Sequence, residues 1–271
     1  MQLSRSARIA LRVAAGFGFA VIYVPLLLVL VNSLNPDRSA SWPPSSLTLH
    51  WWSVAWQNSG ARAALWVSVK AGLGATAIAL VLGTLIAFAV ARYRFFGRGA
   101  ISFVVVLPIA LPGIVTGIAL NSAFSTVLEP LGVGLGLFTV IVGHATFCIV
   151  VVFNNVVARL RRTSGSYEEA AMDLGADTFR AFVDVTFPLV RSALLAGGLL
   201  AFALSFDEIV VTTFTAGPGI ETLPIWIFNN MTRPQQAPVV NVVAAVLVLL
   251  SVVPIYVAQR LSADTATASR V

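Results

Sequence analysis

Charge is what this sequence has least of. Only 10% of its 271 residues are Asp, Glu, Lys or Arg, against about 25% in a soluble globular domain, and that deficit all but excludes a soluble enzyme. Cysteine is nearly missing: Cys148 stands alone inside an apolar run, so no intrachain disulfide can form. The two histidines, His50 and His144, have no cluster of further ligand residues near them in sequence, which leaves no zinc spacing and no expected metal site. No G-x4-G-K-S/T run occurs, so the chain has no Walker A loop to cradle ATP phosphates. Segments of about 10 residues that alternate apolar and polar, the mark of a transmembrane barrel, are missing as well.

What is present is apolar. Hydrophobic residues make up 58% of the chain and the mean hydropathy is +0.90, the composition of an integral membrane protein. Runs of about 20 apolar residues are long enough to span as helices, and six of them fall at 13–33, 64–91, 100–124, 137–158, 190–214 and 237–259. The expected fold is an all-α integral membrane bundle of six transmembrane helices. Of the 17 basic residues, 13 lie on one side of this arrangement: Arg5, Arg8, Arg12, Arg92, Arg94, Arg98, Arg159, Arg161, Arg162, Arg180, Arg191, Arg260 and Arg270. The positive-inside bias therefore places both termini in the cytoplasm. Trp42, Trp51, Trp52, Trp56, Trp66 and Trp226 lie in or beside the opposite, outer segments, where amphipathic rings settle at an interface. The net charge of +6 reads as topology and contact with anionic membrane lipid, not as nucleic-acid binding.

The first apolar run is longer than a signal-peptide core and lacks a clear cleavage site, so it is read as an uncleaved helix. Residues 34–62 form an outer connection whose aromatic content predicts a short interfacial helix, with His50 as an ordinary polar residue there. Pro25, Pro108, Pro112 and Pro254 fall within spans, where proline kinks a helix. His144 and Cys148 read as packing residues, Asn154 and Asn155 as interhelical hydrogen-bonding groups, and Glu129 as solvated.

The segment between the fourth and fifth spans behaves differently. Eight of the chain's 28 charged residues fall within residues 161–184, so this is a solvated loop on the basic, cytoplasmic side. Ser166 followed by Glu169 has the spacing of a capping box, and Gly175 suits a left-handed helix stop. Between them Tyr167, Ala170, Ala171 and Leu174 recur at helical spacing as a shallow apolar stripe flanked by Glu168, Glu169 and Asp173. Such a face fits a cleft on another protein.

These residues carry a family resemblance. Glu169, Ala170, Ala171, three residues, Gly175, nine residues, then Val185, Thr186, Phe187 and Pro188 resembles the EAA loop, E-A-A-x3-G-x9-I-x-L-P, of the membrane subunits of ABC-type importers. Val stands for Ile and Phe for Leu. The stretches "LPIALPGIVTGIAL" and "SFDEIVVTTFTAGPGIETLP" are similar to the second permease subunit of the spermidine/putrescine branch, and to permeases for ferric iron or phosphonates. The resemblance implies that 1–271 is a single permease domain in a bacterial inner membrane, with 161–188 as its coupling loop. Glu168, Glu169, Ala170, Ala171, Leu174, Gly175 and Pro188 would then couple it to an ATP-binding subunit, present in two copies. It further implies no cofactor on this chain, ATP and Mg on the partner, a second related permease subunit and an extracytoplasmic binding protein. Transport, not catalysis, is the implied role.

Acidic residues at membrane depth are functional candidates. Asp207 and Glu208 interrupt the fifth span, Asp207 about 10 Å in from its outer end, and Lys70 enters from the same side to about 9 Å. Lys70 is expected to neutralise one acid, leaving the other for a cationic substrate; purely structural pairing is the competing reading. A break near Ser205 to Asp207 would absorb the excess length of this segment. The favoured substrate is a polyamine, with another small solute as the alternative. A secondary transporter would show internal repeats and an intramembrane enzyme a catalytic constellation, and neither pattern stands out.

Overall fold

Hydrocarbon offers a backbone no hydrogen-bonding partner, so a chain this apolar satisfies itself within helices. The computed structural model describes residues 4–38 and 42–250, and every regular element in them is helical. In order these are α1 (Arg5–Asn32), α2 (His50–Gln57), α3 (Ser59–Arg92), α4 (Arg98–Ala110), α5 (Gly113–Val127), α6 (Leu137–Arg161), α7 (Ser166–Asp173), α8 (Thr178–Arg180), α9 (Phe187–Phe206), α10 (Val210–Thr215) and α11 (Leu223–Asn230). A further apolar helix, α12, covers Ala237–Leu250. Among the described residues, five helical stretches are long and apolar enough to cross a membrane: Arg5–Asn32, Ser59–Arg92, Gly113–Leu131, Leu137–Arg161 and Thr178–Phe206. The remainder of the expected sixth span, with Pro254, Arg260 and Arg270, lies outside the described residues.

The chain divides into two compact units, one built from the segments before Ala63 and after Ile225, the other from Ala63–Ile225. In the first, α1 opens on Ser4, whose hydroxyl accepts from the Ala7 N–H, and none of its 28 residues is buried. Val13, Phe17, Phe19 and Val21 are all exposed, as a lipid-contacting helix requires. The connection between α1 and α3 folds back through Thr48 N–H to Leu34 O at 2.7 Å and holds the short helix α2. Trp51 donates its indole N–H to Pro36 O and lies under the Arg38 guanidinium. Asn58 starts α3 by accepting from Ala61 N–H at 2.9 Å.

The second unit is organised around α6, of whose 25 residues 13 are buried. Lipid tails are as apolar as leucine, so helices associate by close van der Waals contact, which favours small residues. Val152 of α6 sits between two of them. A Cβ on Gly83 of α3 would lie 3.0 Å from the Val152 Cβ and 2.9 Å from Ile149 O, and one on Gly197 of α9 would lie 3.2 Å from the Val152 Cα. Side chains also reach across to carbonyls that helix breaks leave open. Asn121 donates to Phe214 O and Thr139 to Thr215 O, both at 2.7 Å, at the last turn of α10.

Pro25 and Pro108 lie within continuous α1 and α4, whereas Pro112 and Pro188 go with departures from regular helix. The expected third span, 100–124, is two helices: Leu111 is extended and Pro112 precedes α5. Pro112 has no N–H to donate and forces the residue before it out of the helical region, so the segment bends through an extended step instead of a mild kink. Before Pro188 the response is a wide π turn, Ala181–Thr186, in which Phe187 N–H reaches back five residues to Phe182 O. The missing N–H of Pro188 and its ring leave no room for a regular bond to Asp184, and the wider turn takes up the extra residue.

Replacing Gly83 by Ala is expected to lower stability by about 1–3 kcal/mol, since the new methyl meets backbone, whereas Gly16→Ala in α1, with nothing within 4 Å, brings no such loss. Thermal midpoints of the two purified variants in the same detergent check this; equal midpoints would refute the close-approach role of Gly83.

Candidate functional site

The loop between α6 and α9 is built from local signals that differ in part from those expected. Ser166 is the first residue of α7 and makes no cap; Ser164 Oγ accepts from Ser166 N–H at 3.2 Å, so the anticipated Ser166–Glu169 capping box is not formed. The reason is one of register. The turn that follows Thr163 places Gly165, not Ser166, at the cap position, and the Glu168 and Glu169 N–H groups both reach Gly165 O.

At its far end α7 stops as its glycine requires. Gly175 has φ +93, a left-handed conformation that a side chain disfavours. Its N–H reaches Met172 O and the Ala176 N–H reaches Ala171 O at 3.0 Å, which closes the open carbonyls of the last turn. Asp177 then starts the next turn by accepting from Arg180 N–H at 2.8 Å.

The two glutamates at the start of α7 face different ways. Glu168 turns inward: its Oε1 accepts from Arg92 Nε at 3.1 Å and from the Thr186 hydroxyl at 3.0 Å. The same guanidinium donates to Leu160 O and Thr163 O at the end of α6. Nearby, Phe182 packs edge-on against Phe88 of α3 at 5.5 Å. The other face is open. Tyr167, Ala170 and Leu174 are exposed, Leu174 to 90%, with Glu169 and Asp173 beside them and Ala171 half-buried. An exposed stripe of small and apolar side chains flanked by carboxylates can seat in a cleft that supplies basic groups.

Of the residues singled out in the sequence, Glu169, Ala170, Leu174 and Gly175 are exposed, Glu168 is an anchor, and Pro188 occupies the second position of α9. Sequence reasoning does not reach Arg92 or Thr186 as parts of this arrangement. Arg92 looks like one more basic residue of a loop, and Thr186 falls on an unspecified position of the loop pattern; only the fold brings them to Glu168.

The acids of the fifth segment lie where α9 stops. Phe206 is its last residue, and the break expected near Ser205 to Asp207 is present. Asp207 is exposed and Glu208 half-buried. Lys70 is exposed and forms no ion pair with either acid among the described residues, so the expected neutralisation is absent from this structure. Glu208 Oε1 instead accepts from Val211 N–H at 2.9 Å, which satisfies a donor in the first turn of α10.

His144 spans the break. It is fully buried, with Nδ1 2.7 Å from Ser205 Oγ and Nε2 2.8 Å from Thr212 Oγ1. The Thr212 hydroxyl is also within hydrogen-bond distance of Glu208 O at 2.8 Å, so the two ring nitrogens of His144 bridge Ser205 and Thr212. Cys148, one turn on, is buried and donates to Ala201 O at 3.3 Å. Both are buried within the bundle, and His144 also ties the end of α9 to α10. Asn155 bonds Val151 O of its own helix, not a neighbouring one.

Residues 79–266 match the family described as binding-protein-dependent transport system inner membrane component. The chain is 33% identical over 247 residues to the spermidine/putrescine transport system permease protein PotC of Escherichia coli (strain K12), covering 91% of each chain. It is 32% identical over 234 residues to the putrescine transport system permease protein PotI of the same strain, covering 85% of this chain and 82% of that one. A putative 2-aminoethylphosphonate transport system permease protein, PhnV of Salmonella typhimurium, is 31% identical over 258 residues, 92% of this chain and 96% of that one. A crystal structure of a bacterial ABC transporter involved in the import of the acidic polysaccharide alginate shares the fold, with a TM-score of 0.67 at 17% identity, over 97% of this chain and 99% of that one. With the family match covering well over half its length, the chain belongs to the inner membrane permease components of binding-protein-dependent transport systems.

Proposed function

We propose that this chain is one of two membrane subunits of an ATP-driven importer, with α7 as the helix that receives the stroke of the ATPase. The observation that carries the reading is the two-sidedness of α7: one glutamate anchored to the rest of the unit, the opposite apolar face exposed. Residues 1–271 are read as one permease domain, with 161–188 as its coupling loop and 34–62 as its outer interfacial connection. It crosses the membrane six times with both termini in the cytoplasm, a topology supported by the distribution of basic residues. ATP and Mg belong to two copies of an ATP-binding subunit, and solute arrives from an extracytoplasmic binding protein.

The solute is a polyamine such as putrescine or spermidine, moved by alternating access. Two polyamine permeases among the relatives support this, as does the exposed carboxylate of Asp207 at a helix break. Helix breaks inside transport bundles bring polar backbone and charge to the substrate path. A second reading, an aminoethylphosphonate, is favoured by the relative named for that solute; the Asp207 carboxylate would attract its ammonium end and repel its phosphonate, whereas both ends of putrescine are cationic. Competition of labelled putrescine uptake by unlabelled putrescine and by 2-aminoethylphosphonate separates the two.

Gly175→Arg forces a side chain into a left-handed position, at about 1–2 kcal/mol, and places bulk beside the exposed face. The tagged variant should insert and fold yet lose the ATPase that copurifies with the wild-type chain. A wild-type chain purified without an ATPase, with uptake indifferent to Gly175, would overturn the importer reading. Asp207→Asn should raise the apparent KM for putrescine roughly tenfold per folded molecule, the size of one lost charge-assisted contact. An unchanged KM would remove Asp207 from the substrate path.

A further inference from the structure

Arg92 occupies a place that a loop arginine at a membrane surface does not need. Its side chain is 15% exposed, and that of its partner Glu168 is 23% exposed. Three contacts use the guanidinium: Nε to Glu168 Oε1 at 3.1 Å, and the same terminal nitrogen to Leu160 O at 3.1 Å and Thr163 O at 3.2 Å. Glu168 Oε1 also accepts from Thr186, whose hydroxyl lies 3.4 Å from Ala181 O in the π turn. Four pieces of chain therefore meet at one carboxylate and one guanidinium: the last residue of α3, the end of α6, the first turn of α7, and the π turn leading into α9.

We propose that Arg92 is a positioning residue that clamps α7 to the ends of α3 and α6, so that a push on the exposed face of α7 is delivered to these helices together. The proposal rests on the reading of α7 as the coupling helix. Its physical basis is the weakness of the other tethers. The larger apolar residues of α7 are exposed, and the helix, at 8 residues, is too short to be stable alone. Without the Arg92 to Glu168 pair, α7 keeps its docking face but loses its most direct bond to α3. Lysine cannot replace arginine here, because only the planar fork can serve the carboxylate through Nε while a terminal nitrogen serves the two carbonyls. Thr186 is the subsidiary arm: it fixes Glu168 from the α9 side and lets the π turn move with α7.

The test uses the intact complex, purified with its ATPase in nanodiscs, and hydrogen exchange read by mass spectrometry with and without ATP plus vanadate. In the wild type, nucleotide trapping should change exchange in α7 and at the ends of α3 and α6 together. In Arg92→Gln and Glu168→Ala the change should stay in α7 and transport of putrescine per ATP should fall roughly five- to tenfold, within the range of ordinary allosteric couplings, with ATPase activity per complex persisting in Arg92→Gln. The double variant should lose no more than either single one, because the pair acts as a unit. Thr186→Val, nearly isosteric, should give a smaller loss of the same kind and guards against a folding defect in the charge variants. A lowered amount of complex with transport per ATP unmoved would reduce the pair to a structural role and overturn the clamp. Trapping that still reaches α3 in both charge variants, or losses that multiply in the double variant, would overturn it as well. A wild-type chain with no associated ATPase would overturn the importer reading instead, and the two failures are distinct.

Discussion

A backbone in hydrocarbon must find all its hydrogen-bond partners inside the protein, and the rest of this structure depends on that constraint. It makes helix the regular structure of the described residues. It also explains where polar side chains are found. Thr139, Asn121 and Cys148 donate to carbonyls of α9 and α10, and Glu208 and the threonines of α10 serve the turns around the break at Asp207. Each of these side chains finds its partner inside the protein.

Packing follows from the same setting. With little hydrophobic drive between helices in lipid, contact depends on how closely backbones approach. Gly83 and Gly197 give Val152 its seat between α3 and α9, and the polar knot at His144 joins Ser205 to Thr212 across a discontinuity in the helix. A segment that contains a helix break needs such a tie, since its two pieces are no longer joined by a regular ladder of backbone bonds.

The loop between α6 and α9 follows a different rule, since most of its side chains are charged or exposed. There, exposed backbone needs no internal partner, and charge can serve to fix position. Glu168 and Glu169 are adjacent in sequence and identical in chemistry, yet one is anchored by Arg92 and Thr186 while the other faces outward. Neighbouring helical residues point about 100° apart, so a single step along α7 separates holding the helix from presenting it.

Spans, loop and stop signals are legible in the sequence because they follow from local rules: apolar length, charge density, and glycine or proline at positions that fix the backbone. Asp207 marks a helix break and Gly175 a helix end for that reason. The cap of α7 lies one residue earlier than its spacing suggests, since Ser164, Gly165 and Ser166 are all suited to a helix start and only the turn itself chooses among them. Matched depth suggests a pairing of Lys70 with an intramembrane acid, but depth says nothing of the direction in which a side chain leaves its helix. The sequence by itself thus determined that this is a helical membrane protein with a charge-rich loop at 161–184, and it placed the break at Asp207 but not the one at Leu111, which falls inside an expected single span. Only the tertiary structure decided that Arg92, 76 residues from Glu168, closes on it, because contacts between distant segments depend on helix rotation and packing, which no local pattern specifies.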